Sequence, residues 1–100
     1  MNKKKLIIVS DSFSAEDYVK DSLIPAKIKK FDLIINKKNQ KLSQLLKKSK
    51  INCNIHTIKD LNSNWIKHRF DIKNSLLICA GSPWIIKNDI IKLFKKNILN

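Results

Sequence analysis

Residues 76–100 read LLICAGSPWIIKNDIIKLFKKNILN, and the alternation inside them decides the fold class. The run 75–80 is continuously apolar after its first serine, which suits a strand covered on both faces. The chain's single glycine, Gly81, and a Ser82-Pro83-Trp84 turn come next. Ile86, Ile90, Leu93 and Phe94 are then spaced i, i+4, i+7 and i+8, so a helix over 87–94 lays one apolar stripe against a neighbour. Residues 98–100 start another strand.

Earlier segments repeat this alternation. Residues 6–9 (LIIV) and 31–35 (FDLII) read as strands buried on both faces, and 51–58 as a third strand with Ile51, Cys53 and Ile55 on one side. Ser14, Glu16 and Asp17 supply a hydroxyl cap and first-turn acids for a helix running to about Leu23, where Pro25 stops it. Leu42, Leu45 and Leu46 give 39–50 an apolar stripe with lysines opposite. Between 59 and 74, Asp60 or Asn62 caps a short helix carrying Trp65 and Ile66. Strand and helix alternating in this way predict an α/β domain with a parallel, doubly wound sheet.

Composition narrows the function classes. One hundred residues make at most one domain. The formal charge of +13 invites a nucleic-acid partner, but Arg69 is the sole arginine, and lysine, isoleucine and asparagine are the residues that AT-rich coding favours. A surface shaped to grip phosphates is expected to retain arginine, whose planar fork binds them bidentately. Solvated lysines are therefore the favoured reading, and a small basic flavodoxin-like module that binds nucleic acid is the alternative. Cys53 and Cys79 lie within apolar strands without a CxxC pattern, as structural thiols of a reducing compartment do. The basic start MNKKK imitates a signal peptide, yet only four apolar residues follow before Asp11. That run is too short to enter a bilayer, and a cytoplasmic protein is expected.

In open parallel sheets, ligands bind beyond the carboxyl ends of the strands, where the strand order reverses. Residues 10–13 after the first strand, 81–84 after the fourth, and Asn100 all fall at that rim. The first loop, Ser10-Asp11-Ser12-Phe13, contains no glycine, so neither the dinucleotide fingerprint nor a P-loop is present. No metal-ligand pattern occurs.

The run AGSPWIIKNDIIKLFKKNILN resembles the middle of the formyltransferase catalytic domain, shared by methionyl-tRNA, glycinamide ribonucleotide and sugar N-formyltransferases. FDLIIN and INCNIHTI are similar to that family's second and third strand regions, so the likeness spans most of the chain. The GSPW form looks most like the enzymes of surface-sugar biosynthesis. The resemblance implies a Rossmann-like N-terminal half, residues 1–100, with 10-formyltetrahydrofolate as donor and an amine, on a nucleotide-linked amino sugar, as acceptor. A membrane has no part in it, and nucleic acid enters only as tRNA if the protein is of the methionyl-tRNA type.

Residue by residue, the resemblance implies that Ser82, Pro83, Trp84, Ile85 and Ile86 border the pterin pocket, and that Asn100 is the catalytic asparagine. Asp11 and Ser12 either meet the substrate's polar groups or cap the next helix, and capping is favoured. Asn100 as an ordinary terminal residue, and Trp84 as a plug of the core rim, are the plainer alternatives. The family's histidine two residues beyond the asparagine, and its later aspartate, are expected past Asn100. His56 and His68 stand outside any Asn-x-His pattern and read as surface or lightly packed residues, and Trp65 with Phe70 as core. A fragment inactive by itself is the expectation.

Overall fold

A computed structural model describes residues 4–80 and 87–99. Among them lies a five-stranded sheet of β1 (Lys5–Val9), β2 (Lys30–Ile35), β3 (Asn52–Thr57), β4 (Ser75–Cys79) and β5 (Ile98–Leu99). Its order is β3-β2-β1-β4-β5 and each described pairing is parallel. The chain thus starts at the centre, builds outward to β3, then returns past β1 to build the other side. The doubly wound, Rossmann-like fold expected from the alternation is the observed one.

Four helices supply the layers: α1 (Ser12–Tyr18), α2 (Gln40–Lys48), α3 (Ser63–Arg69) and α4 (Asn88–Phe94). Strand alternation divides the core in two. Ile8, Leu33 and Ile35 face Ala15, Val19, Leu23, Leu42 and Leu46 on the α1/α2 side. Ile7, Val9, Ile34 and Leu77 face Leu61, Ile66, Ile90 and Phe94 on the α3/α4 side. Phe94 is the largest side chain in the fully buried set.

The boundaries differ from the sequence reading in instructive ways. α1 begins at Ser12, because Asp11 takes the capping position expected of Ser14. Beyond Tyr18 the helix widens into a π-helical stretch, Val19–Leu23, with Ile24 N donating to Val19 O at 2.9 Å. Pro25, which has no N–H to donate, follows at once. α2 is capped by Asn39 and α3 by Asn62, each accepting from a backbone N–H three residues on. β2 was expected to be buried on both faces, but Asp32 is only half-buried; β3, at the sheet edge, alternates between exposed and half-buried.

Three turns carry lysine at positive φ: Lys27 (59°), Lys50 (56°) and Lys95 (54°). Lys50 follows α2 by two residues, a place where glycine is favoured because a Cβ crowds the backbone in the left-handed region. Lys50→Gly is expected to stabilise the domain by about 1 kcal/mol, the relieved strain outweighing the extra chain entropy. Thermal melting monitored by circular dichroism checks this, with a rise of several degrees expected.

Candidate functional site

The switch point falls between β1 and β4, whose chains leave the sheet toward opposite neighbours. Ser10 is fully buried there, its N–H donating to Ile34 O at 3.0 Å, and Ala80 N donates to Val9 O at 2.9 Å. These two bonds extend the sheet's pairing by one residue on each side of β1 and hold the rim in place.

The loop after β1 is then locked by side chains. Asp11 Oδ1 accepts from Phe13 N at 3.0 Å and Ser14 N at 2.9 Å, and its Oδ2 from Ser14 Oγ at 2.8 Å. Ser12 N donates to Asn36 Oδ1 at 3.1 Å, while Ser12 O accepts from Asn39 Nδ2 at 2.8 Å. The same Asn39 amide donates to Glu16 Oε1 at 2.9 Å and its oxygen caps α2. So the amides of residues 12–14, which in nucleotide-binding relatives of this fold receive a phosphate, are already occupied, and by a carboxylate in two cases. Asp11 performs the capping alternative; Ser12 is buried at 5% exposure with both backbone groups engaged.

Two features at this end remain open to a ligand. Phe13 is 80% exposed on the first turn of α1, far more than its apolar ring would be as part of a core. Beside Ala80 a cavity of about 280 Å³ is lined by Ser14, Asp17, Tyr18, Asp21 and Ser22. Its polar groups are two carboxylates and three hydroxyls. Residues 81–86 lead away from this cavity in sequence. The start of α4 is held to the β3–α3 connection, because Lys87 Nζ lies 2.6 Å from Asp60 Oδ1 and Ser63 N donates to Asp89 Oδ2 at 3.3 Å. The Ser63 hydroxyl foremost, with its backbone N–H, holds the Asp89 carboxyl below the usual range.

Ser82, Pro83, Trp84, Ile85, Ile86 and Asn100, the pterin wall and the asparagine implied by the resemblance, lie outside the described residues. Asp11 and Ser12 are brought together with Phe13 at the rim. His68 is exposed on α3. His56 is partly exposed on the edge strand, at 27% of its side chain, and is also engaged by neighbours. Its Nε2 lies 3.2 Å from Asp32 Oδ1, and its ring meets Trp65 and Phe70 edge-on at 5.5 and 5.6 Å. Arg69 sits 4.6 Å over the Trp65 ring. The signal for this cluster was Asp32 interrupting an apolar strand, but its partner could be found only by knowing that Ile34 pairs with His56.

Both thiols are free. Burial, and then the nearby Asp32 charge, push Cys53 up to about 12, and burial also raises Cys79. Both shifts favour the neutral thiol, as in packed structural cysteines. Among the described residues no group of three or more His, Cys, Asp or Glu side chains could hold a metal ion, and no helix is long and apolar enough to cross a membrane. No family model, no curated protein and no solved structure matches the chain.

Proposed function

We propose that residues 1–100 form the folate-side half of a 10-formyltetrahydrofolate-dependent formyltransferase whose acceptor is an amine on a nucleotide-linked amino sugar. The observation that carries the reading is the switch point itself, where the β1 loop is closed to phosphate while a cavity beside Ala80 offers carboxylates and hydroxyls. That chemistry suits the amine and hydroxyl groups of the acceptor's sugar, whose phosphates would have to lie away from the occupied loop amides. Leu99 pairs with Ile78, so β5 and β4 run side by side toward the same rim. The GSPWII motif follows one of these strands in sequence and Asn100 the other.

In this reading, Ile85 and Ile86 wall the pterin, and the exposed Phe13 ring borders the acceptor. The neutral amine attacks the formyl carbon, the carbon–N10 bond breaks, and tetrahydrofolate departs. Asn100 donates to the formyl oxygen as negative charge gathers on it. One preorganised donor of that type contributes roughly 3 kcal/mol, or two to three powers of ten in rate. Proton transfer falls to a histidine two residues past Asn100 and to a later aspartate, since His56 is held by Asp32, Trp65 and Phe70. We place the reaction in the cytoplasm, where two free thiols stay reduced.

The test combines sequence and binding. Coding sequence downstream of Asn100 is expected to specify that histidine and aspartate; a stop codon with no such continuation in any frame counts against the proposal. 5-Formyltetrahydrofolate is expected to quench the fluorescence of Trp84, and to do so in a Trp65→Phe variant. Absence of saturable quenching in that variant rejects the pterin pocket.

A further inference from the structure

The opposite end of the sheet holds a second cavity. In a parallel sheet covered by helices, the strand residues facing a helical layer are ordinarily apolar throughout. Here the α3/α4 face keeps that character only toward the carboxyl ends. Lys30 pairs with Asn52 and Asp32 with Asn54, while Lys5 lies two residues before Ile7, the partner of Asp32. Since side chains alternate, Lys5, Lys30 and Asn52 form one row on this face, and Asp32 and Asn54 share the next with Ile7. Polar side chains on three adjacent strands therefore line the amino end of this face, with Leu6 and Phe31 beside them. The opening above them measures about 590 Å³, and Lys4 adds a further ammonium at its edge.

The cavity gathers three ammonium groups around one carboxylate. Among the described residues the ion pairs are His56 with Asp32 and Lys87 with Asp60, so no described carboxylate pairs with Lys4, Lys5 or Lys30. Asp32, the one acid in the wall, is turned to account by His56 at 3.2 Å, which leaves its second oxygen as an acceptor. At the carboxyl end of β1 the loop amides are filled by Asp11's own carboxylate. Asp11, Glu16, Asp17 and Asp21, half of the chain's eight acids, lie between positions 11 and 21. The β1 loop that commonly receives phosphate is capped by its own carboxylate, and the other end of the sheet gathers around a hollow ammonium groups that pair with no described carboxylate.

We propose that this hollow is a binding site for a small organic phosphate of nucleotide size, separate from the carboxyl-rim site. Its volume falls within the roughly 300–1,000 Å³ typical of small-molecule pockets. Lys4, Lys5 and Lys30 meet the phosphate oxygens, each as a mobile point charge. Asp32 accepts from a hydroxyl or amino group, and the amides of Asn52 and Asn54, which carry both donors and an acceptor, engage the edge of a heterocycle. A nucleic-acid strand fits less well. It needs an extended basic track with stacking aromatics, and the Asp32 carboxylate would repel its next phosphate.

The test is a titration of the full chain with ATP, pyrophosphate, adenosine and a single-stranded oligonucleotide, followed by calorimetry and by amide NMR shifts. ATP is expected to saturate one site, moving the amides of Lys5, Lys30, Asn52 and Asn54 and leaving those of residues 12–14 unchanged. Pyrophosphate and adenosine are expected to bind at least about tenfold more weakly, each lacking one set of contacts. The Lys5→Glu/Lys30→Glu variant, changed only at exposed side chains, is expected to melt like the parent and to lose roughly a hundredfold in affinity for ATP. Non-saturating shifts spread over the whole lysine surface would overturn the proposal. So would equal affinity for pyrophosphate, an unchanged affinity in the natively melting variant, or an oligonucleotide binding more tightly than ATP through these same residues. None of these outcomes bears on formyl transfer.

Discussion

Phe94→Ala is expected to lower the stability of the domain by about 3–5 kcal/mol, the range for removing a buried aromatic ring from a packed core. Phe94 is 1% exposed and closes the core between β4 and the α3/α4 layer with Ile7, Val9, Leu77 and Ile90. Its helix is a single short element, so no second aromatic on α4 replaces it. For a domain of this size each kcal/mol moves the melting temperature by roughly 4–8 °C, so the loss amounts to a large part of the working range. Total stabilities of about 5–15 kcal/mol make partial unfolding at ambient temperature an expected result. Ile91→Ala, on the same helix at 43% exposure, is expected to cost under about 1 kcal/mol. Denaturant melts of both variants measure the contrast, and equal losses would show that the α4 face has been assigned wrongly.

Asn39→Ala is the second large effect, at about 2–3 kcal/mol, and the reason is geometric. An ordinary asparagine cap contributes about 1 kcal/mol by satisfying one helix amide. Asn39 does that for Leu42 N at 3.2 Å and in addition donates to Ser12 O and Glu16 Oε1. Its removal uncaps α2 and also cuts the two side-chain bonds that tie the start of α2 to Ser12 O and Glu16 on α1. Asn39→Asp separates the contributions, since it retains the cap, loses both donors, and brings a second carboxylate toward Glu16. The aspartate variant is expected to fall between the parent and alanine only if the cap matters more than that repulsion. Hydrogen exchange at Leu42 reports the cap, and exchange at Phe13 and Ser14 reports the rim loop that Asn39 braces from a distance.

These examples mark what was legible in the sequence and what was not. The buried strands could be read because a strand covered on both faces must be apolar along its whole length, and 6–9 and 75–80 are. The stripe of Ile90 and Phe94 could be read because helical periodicity is local. Asp11 was weighed as a cap, but its precedence over Ser14 depends on the φ of −70° and ψ of 160° that orient its carboxylate onto two amides. Asn39's span to Ser12 and the pairing of Asp32 with His56 bridge 27 and 24 residues. Contacts of that kind follow from the register of parallel strands, which no local pattern encodes. The amino-end hollow was hidden for the same reason: lysine at 5 and 30 and asparagine at 52 and 54 look like scattered surface residues until three strands are set side by side. The motif at 81–86 was legible only as a likeness, since its spacing carries no periodicity from which packing could be derived.

The lysines at positive φ connect the fold to the gene that encodes it. Glycine codons begin with a pair of guanines and lysine codons consist almost wholly of adenine, so drift toward A and T removes the residue that left-handed turns favour and supplies one they resist. Gly81 is the chain's single glycine, and at Lys27, Lys50 and Lys95 the chain turns at positive φ on lysine. Each of these turns holds torsional strain that a glycine would relieve, so the three positions are separate handles on the stability of the domain.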